Sequence, residues 1–373
     1  MQKTARKVFL LFLSFFLIKA GIFAQADYIA ASLDDSALAA QVLLTGIDGN
    51  TGLSPAMKSL LEKIPAGGIM LFRYNLNASK DTVKEFLSEA GNIITNRNGI
   101  PPFMAADHEG GLVHRFGPGV EKLPSAFSFW ELAQREGRMA AISRAEELYR
   151  RSAREIRELG ITMVLGPVAE PLNEDNRLFL ETRSYGSDPG FIVGAASAFI
   201  KSMNDAGIAC VLKHFPGNSA ADPHSGISTL SAGKAALDEN VKPFTEIIRT
   251  IEMDAVMVSH VSIPAVDSKR IASLSSPVIE GWLREELGFN GIVIADDFTM
   301  AAVSASGFSP AAAAVEAINS GVDMIMAWPN NIETVHGAIL NALKDGRLPR
   351  EKLTRAAERI IEAKLKYGLI TLP

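Results

Sequence analysis

The sequence predicts an α/β fold, a (β/α)8 barrel of the TIM type, on three observations. Eight short runs are continuously apolar. Helical patterns lie between them. Several of those helices are followed at once by glycine. The apolar runs are 41–47, 67–72, 102–106, 162–168, 209–214, 255–261, 291–296 and 324–328. They do not alternate apolar with polar, and that pattern suits parallel strands covered on both faces. Helical patterns occupy 55–64, 81–95, 139–159, 189–206, 241–251, 277–287 and 310–320. Gly160, Gly207, Gly288 and Gly321 stand just past four of them, where a left-handed residue closes a helix at low cost. A last amphipathic helix, 350–367, carries Leu353, Ala357, Ile360, Ile361 and Leu365 on one stripe. It is expected against the side or base of the barrel. An open doubly wound sheet is the structural competitor, but no G-x-G-x-x-G follows the first strand.

Composition narrows the function classes. The 373 residues are 47% hydrophobic and 21% charged, with a formal net charge of −5. This is ordinary globular usage. The body has no dense basic stretch, so no nucleic-acid partner is expected. A single cysteine, Cys210, excludes an internal disulfide and a thiolate-rich zinc site.

The first 26 residues read as a secretory signal peptide. Lys3, Arg6 and Lys7 precede an apolar run from Val8 to Ile18, and Ala24-Gln25-Ala26 supplies the small-residue cleavage pattern. The run is short for a bilayer of ~30 Å hydrocarbon. Cleavage after Ala26 leaves one barrel domain over residues 27–373. The expected compartment is periplasmic or extracellular, without stable membrane association after cleavage.

The polar residues gather where barrels place active sites, at the C-terminal ends of the strands. Asp107 ends the third strand, and Glu170 and Arg183 follow the fourth. Lys213 and His214 end the fifth, with Asp222 and His224 in the loop behind. His260 ends the sixth, and Asp296 and Asp297 end the seventh. Five of the six histidines (His108, His114, His214, His224 and His260) fall at or just after strand ends. No H-x-H pair stands at the first strand, so a metal-dependent hydrolase is disfavoured, and neither metal nor cofactor is expected. Asp296 and Asp297 are neighbours on one strand. Alternation lets one of them face the barrel mouth without saying which.

Four blocks resemble glycoside hydrolase family 3, in particular its single-barrel β-N-acetylhexosaminidases. They are Asp107-His108-Glu109-Gly110-Gly111-Leu112-Val113-His114-Arg115-Phe116, Arg183-Ser184-Tyr185-Gly186-Ser187-Asp188-Pro189, Lys213-His214-Phe215-Pro216-Gly217 with Asp222-Pro223-His224, and Ala295-Asp296-Asp297-Phe298-Thr299-Met300. Their order matches the family's over nearly all of the chain. The resemblance implies a retaining exo-β-N-acetylhexosaminidase acting on a carbohydrate substrate. Its nucleophile is Asp296. His224, oriented by Asp222, is the acid/base. Asp107, Arg115, Arg183, Lys213 and His214 hold the sugar. Chemically this is coherent. Retention needs a nucleophile and a proton donor on opposite sides of the anomeric carbon, and imidazole, with an ordinary pKa of ~6.5, can give and recover a proton near neutral pH. Glu109 is expected to be structural, and Asp297 a carboxylate bonded to backbone N–H groups of the next loop. The family's usual K-H-F-P-G-H-G reads here with Asn218-Ser219 in place of the last two residues. The small residues of 217–226 predict a flexible loop that closes on substrate. Two rival readings are a β-glucosidase-like member of the family and a non-catalytic sugar-binding barrel.

Overall fold

The computed structural model describes residues 21–219, 222 and 225–371. The first 20 residues of the expected signal peptide lie outside the described residues, as do Pro223 and His224. Eight parallel strands form the barrel wall: β1 (Leu43–Gly46), β2 (Gly68–Leu71), β3 (Phe103–Gly110), β5 (Met163–Val168), β6 (Ala209–Phe215), β7 (Ala255–Val258), β10 (Ile292–Ala295) and β11 (Ile325–Met326). The ends of each lie within three residues of those of an apolar run named above, except at the far end of β3. There the strand continues past Asp107 to Gly110 and turns back as β4 (Val113–His114). Beyond the wall, β8 (Ser262–Ile263) and β9 (Asp267–Ile271) make a small antiparallel ribbon.

Neighbouring strands pair in the order β10-β7-β6-β5-β3-β2-β1-β11. An additional parallel bridge, Ile294 to Met324, joins the two ends of that path, with Ala295 N donating to Met324 O at 3.1 Å. The sheet therefore closes, which an open doubly wound sheet does not do. Its strands are buried on both faces, as their unbroken apolar sequences require.

The connecting helices start and stop where local chemistry dictates. Ser54, Ser79, Ser125, Asp188 and Ser309 each accept a hydrogen bond from a first-turn backbone N–H. Gly207 (φ 78°) and Gly321 (φ 103°) take the left-handed conformation that lets the chain leave a helix and enter the next strand. At Gly321 the positive φ is what calls for glycine, since the atom nearest a Cβ there, Glu280 Oε1 at 2.1 Å, ends a flexible side chain that can move aside.

The final helix, Arg350–Lys366, belongs to the base of the barrel. Three of its polar anchors lie just ahead of strand starts. Arg359 donates to Asp323, two residues before β11, at 2.8 Å. Lys366 donates to Asp254, one residue before β7, at 2.7 Å. Lys364 donates to Gln41, two residues before β1, at 2.9 Å. The base thus has its own polar staples, opposite the mouth where the candidate site residues gather. Among the described residues, no helix is long and apolar enough to cross a membrane.

Lys364 is fully buried. Gln41 Oε1 and the Phe103 ring, 5.6 Å away, are its partners, and burial pushes its pKa down to about 7. The unfolded chain, with an ordinary lysine near ~10.4, binds more protons between those values. Stability should therefore rise as pH increases from about 7 towards ~10. The Gln41→Leu/Lys364→Met double variant replaces the pair with apolar groups. It is expected to lose that rise and to match or exceed the parent by about 1–4 kcal/mol at neutral pH. Urea unfolding across pH checks both. An unchanged slope would show that Lys364 does not carry it.

Candidate active site

The site starts from strand alternation. On β3, Asp107 and Glu109 are two residues apart and share a face, whereas His108 points the other way. His108 Nε2 meets Ser152 Oγ at 2.7 Å on the helix Arg138–Glu158. Burial and nearby His114 bring the pKa of His108 down to about 3, so this histidine is a neutral packing group behind the wall. The β3–β4 turn needs its two glycines. Gly110 and Gly111 have φ of 87° and 56°, and a Cβ on Gly110 would lie 2.2 Å from Pro124 O. Turning back brings Arg115 over Asp107, with Arg115 Nη2 to Asp107 Oδ2 at 3.0 Å.

The end of β6 supplies the central cation. Lys213 Nζ donates to Asp107 Oδ1 at 2.9 Å and approaches Glu109 Oε1 at 2.6 Å. Its side chain is 3% exposed, as is that of Glu109. Arg183 arrives from the segment after β5, beyond the short helix Arg177–Leu180. It grips Glu109 with two bonds, Nε to Oε2 at 2.7 Å and Nη2 to Oε1 at 2.9 Å. This fork-to-fork geometry is the strongest form of the arginine–carboxylate pair. Arg183 Nη2 also faces His214 Nε2 at 3.4 Å.

His214 links this group to a third carboxylate. Its Nδ1 lies 2.6 Å from Glu170 Oε1, just past β5. Arginine offers no acceptor, so Nε2 presents its lone pair to Arg183 and Nδ1 donates to Glu170. Asn218 completes the arrangement, its Nδ2 lying 3.2 Å from both Glu170 oxygens. Three carboxylates (Asp107, Glu109, Glu170) thus meet three cations (Arg115, Arg183, Lys213) around one neutral imidazole.

The electrostatics follow from burial set against pairing. Burial opposes ionisation of Asp107 and Glu109, but Lys213 with Arg115 or Arg183 outweighs it. Both carboxyls are held below their ordinary values, Glu109 far below. Burial likewise works against the charges on Lys213 and Arg183. The two carboxylates outweigh it for Lys213, and Glu109 foremost does so for Arg183, so both are raised. Asp107 and Glu109 are therefore acceptors with no proton to give.

The seventh barrel strand, β10, brings the neighbouring aspartates to the same mouth, and the two differ in their engagements. Asp297 accepts from Thr299 N and Thr299 Oγ1, both at 2.8 Å, and from the Trp328 indole at 2.9 and 3.0 Å. Asp296 Oδ1 accepts from Asp297 N at 2.8 Å. His260 lies beside them, its Nε2 3.0 Å from Asp297 O and its Nδ1 2.7 Å from Ser273 Oγ. The carbonyl can only accept, so Nε2 carries the hydrogen. Burial keeps the His260 imidazole below its ordinary value despite the charge of Asp296.

The sugar-holding residues expected from sequence therefore converge: Asp107, Arg115, Arg183, Lys213 and His214 form one connected network. Asp222 lies in the loop after β6, where its carbonyl accepts from Ser225 N at 2.8 Å. Glu109, expected to be structural, is the carboxylate on which Lys213 and Arg183 converge. Its i, i+2 spacing from Asp107 on an apolar strand was the available signal. Asn218, read as a departure from the family pattern, is a ligand of Glu170. Among the described residues, no group of three or more His, Cys, Asp or Glu side chains is placed to hold a metal ion.

Comparison with known proteins identifies what the chain is similar to. Residues 40–363 match the glycosyl hydrolase family 3 N-terminal domain. The chain is 33% identical over 282 residues to a β-hexosaminidase of Idiomarina loihiensis, covering 74% of this chain and 80% of that one. It is 25% identical over 339 residues to β-hexosaminidase A of Pseudoalteromonas piscicida, covering 85% of this chain and 56% of the other. Among solved structures, a glycoside hydrolase family 3 β-N-acetylglucosaminidase of Paenibacillus superposes with a TM-score of 0.85 at 30% identity. That match covers 92% of this chain and 64% of the other. The chain thus spans little more than half the length of the Pseudoalteromonas relative and under two thirds of the Paenibacillus one.

Replacing Glu109 with Gln removes the charge that Lys213 and Arg183 share. Glu109→Gln should cost about 3–5 kcal/mol of stability at pH 7, as loss of one member of a buried ion pair does. Arg347→Ala, at the exposed pair with Asp345, should cost far less, because solvent screens an exposed pair. The depressed carboxyl of Glu109 contributes stability above the unfolded value of ~4.3 and loses it as pH falls below that point. The variant should therefore show a shallower acid loss than the parent. Urea unfolding at pH 7 and pH 3.5 measures both, and equal costs for the two variants would contradict the ranking.

Proposed function

The chain belongs to glycosyl hydrolase family 3, and from that premise we propose that it is a retaining, exo-acting β-N-acetylhexosaminidase. It removes terminal β-linked N-acetylglucosamine from glycans or cell-wall fragments. The observation that carries the reading is the connected network of Asp107, Arg115, Lys213, Arg183 and His214 at the barrel mouth. It offers ionic acceptors and donors in fixed positions, which is what the hydroxyl groups of a sugar ring require. The names of the similar proteins support the choice of sugar.

In the proposed reaction Asp296 attacks the anomeric carbon while the glycosidic oxygen takes a proton from the His224 imidazolium. The bond to the leaving sugar breaks and a glycosyl ester forms on Asp296. Neutral His224 then removes a proton from water, the water oxygen attacks the same carbon, and Asp296 is released. Two features support a donor from the loop. Asp107 and Glu109 are locked ionised by their cations, so neither can supply the proton. The loop that carries Asp222 and His224 is also held at its base beside the network, by Asn218 on Glu170 and by Ser219 on Ser228 at 2.6 Å. Asp222 orients the imidazole and favours its charged form, as a carboxylate partner does in hydrolytic triads. Asp297, held by Trp328 and Thr299, is a positioning carboxylate. The amino-terminal segment, read as a signal peptide, would carry the enzyme to periplasmic or extracellular glycans.

Asp296→Asn is expected to reduce turnover of 4-nitrophenyl N-acetyl-β-glucosaminide to background, and Asp297→Asn to reduce it less. Trapping with a fluorinated N-acetylglucosamine donor followed by peptide mapping should place the adduct on Asp296. An adduct elsewhere removes the mechanism. Parallel turnover of the 4-nitrophenyl β-glucoside tests the sugar, and faster cleavage of the glucoside would overturn the assignment.

His224→Ala should lose roughly 10²–10⁴-fold on an oligosaccharide and much less on donors whose leaving groups need no proton. Uniform loss on both would show that His224 is not the acid.

A further inference from the structure

Beside the charged network, on the sector of the mouth built by β1, β2 and β11, three aromatic rings form a strip that the chemistry above does not use. Phe72 directly follows β2 and Trp328 stands two residues past β11. Phe72 and Tyr74 stack with centroids 5.9 Å apart and planes 9° apart. Phe72 meets Trp328 at 5.4 Å and 57°. Gly46 at the end of β1 lies beside both rings, where a Cβ would be in ordinary van der Waals contact, 3.4 Å from Trp328 Cε3 and 3.7 Å from Phe72 Cε2.

The strip is fixed from behind and open in front. The Trp328 indole is held by Asp297. The Tyr74 hydroxyl donates to Ile47 O at 3.0 Å. Asn75 Oδ1 accepts from Phe72 N at 2.9 Å, and its Nδ2 donates to Ile47 O and Gly49 O. Despite these bonds Tyr74 is 55% exposed. In front of it lies a cleft of about 490 Å³ lined by Phe72, Arg73, Tyr74, Asn77 and Arg115. Arg115 is also the partner of Asp107, so the cleft is continuous with the charged network.

A rigid, outward-facing aromatic ring with donors at its edge matches one half of a pyranose. The C–H face of the sugar lies on the ring, and its hydroxyl rim meets the guanidinium and amide groups. Ordering such a ring on binding costs little, because its rotamer is already set. The buried network holds the sugar to be released, and the exposed strip continues outward from it, where the remainder of the substrate must lie.

We propose that the Tyr74–Phe72 strip is the leaving-group subsite and that it takes the second pyranose ring of a β-linked oligosaccharide. The proposal rests on the glycosidase reading above and adds to it a specificity determinant, Tyr74.

The test compares two donors of the same sugar. In di-N-acetylchitobiose the leaving group is a pyranose that can reach the strip. In N-acetyl-β-glucosaminyl fluoride it is a single atom that cannot. Tyr74→Ala should lower the ratio of kcat/KM for chitobiose to that for the fluoride by roughly tenfold, the size of one good aromatic contact. Tyr74→Phe keeps the ring and should keep the parent ratio. Equal loss on both donors in a folded Tyr74→Ala protein, or loss of the ratio in Tyr74→Phe as well, would overturn the subsite. If the parent cleaves neither donor, the glycosidase reading fails. Calorimetric titration of chitobiose then decides the subsite, with weaker binding to Tyr74→Ala expected and equal or absent binding overturning it.

Discussion

The pairing of buried Glu109 with Lys213 and Arg183 is the constraint from which the mouth of this barrel is organised. An isolated carboxylate at that depth would be protonated, and an isolated lysine would lose its charge. Together they hold one another ionised. Each also fixes a different part of the chain: β3 through Glu109, β6 through Lys213 and the segment after β5 through Arg183. The remaining polar groups take their positions from these three. Asp107 shares Lys213, Arg115 folds back onto Asp107, and His214 is set between Arg183 and Glu170. The arrangement favours specificity of position over net stability, since buried ion pairs gain little over apolar packing of the same shape. Its value lies in the fixed directions in which donors and acceptors point.

The two ends of the barrel use polar burial differently. At the base, Asp323 binds Arg284 and Arg359, and Asp254 binds Lys366 and Tyr367. These bonds seal the final helix beneath the strand starts. Lys364 is the weak point of that end, because its main polar partner is a neutral amide. At the mouth, charges meet charges. Separating a structural end from a chemical end is what the barrel architecture permits, since the strand segments between the two ends are apolar and the polar residues sit at their C-terminal ends.

Much of this was legible in the sequence, and the reasons are local. Apolar runs without alternation marked the eight strands, because both faces of a closed parallel sheet are covered. Helical patterns with closing glycines marked the helices. Asp107, Arg115, Arg183, Lys213 and His214 could be named as a set because they sit at strand ends or in motifs of fixed spacing. Glu109 was read as structural but its pairing with Lys213 and Arg183 was not foreseen, because a strand end was assumed at Asp107. Backbone hydrogen bonds to β4 carry the strand three residues further, and hydrophobicity does not report such a continuation past a charged residue. Similarly, Asn218 was legible as an oddity but not as a ligand of Glu170, because the pairing spans 48 residues and depends on two separate loops meeting.

The Asn218 contact also bears on how a loop can be mobile and still deliver a catalytic group. Small residues over 217–226 lower the cost of motion. However, a loop free at both ends would visit the mouth too rarely to place a proton donor within hydrogen-bond reach. Here the outgoing end is tied by Asn218 to Glu170, and Ser219 and Ser228 draw the two ends together. Between these two serines, Ser225 N donates to Asp222 O at 2.8 Å. The base of the loop is thereby set beside Glu170 and His214. On the proposed reading the tether runs through the same network that would hold the sugar, so Asn218 and Ser219, in place of the family's usual residues, keep the base of the loop beside the site.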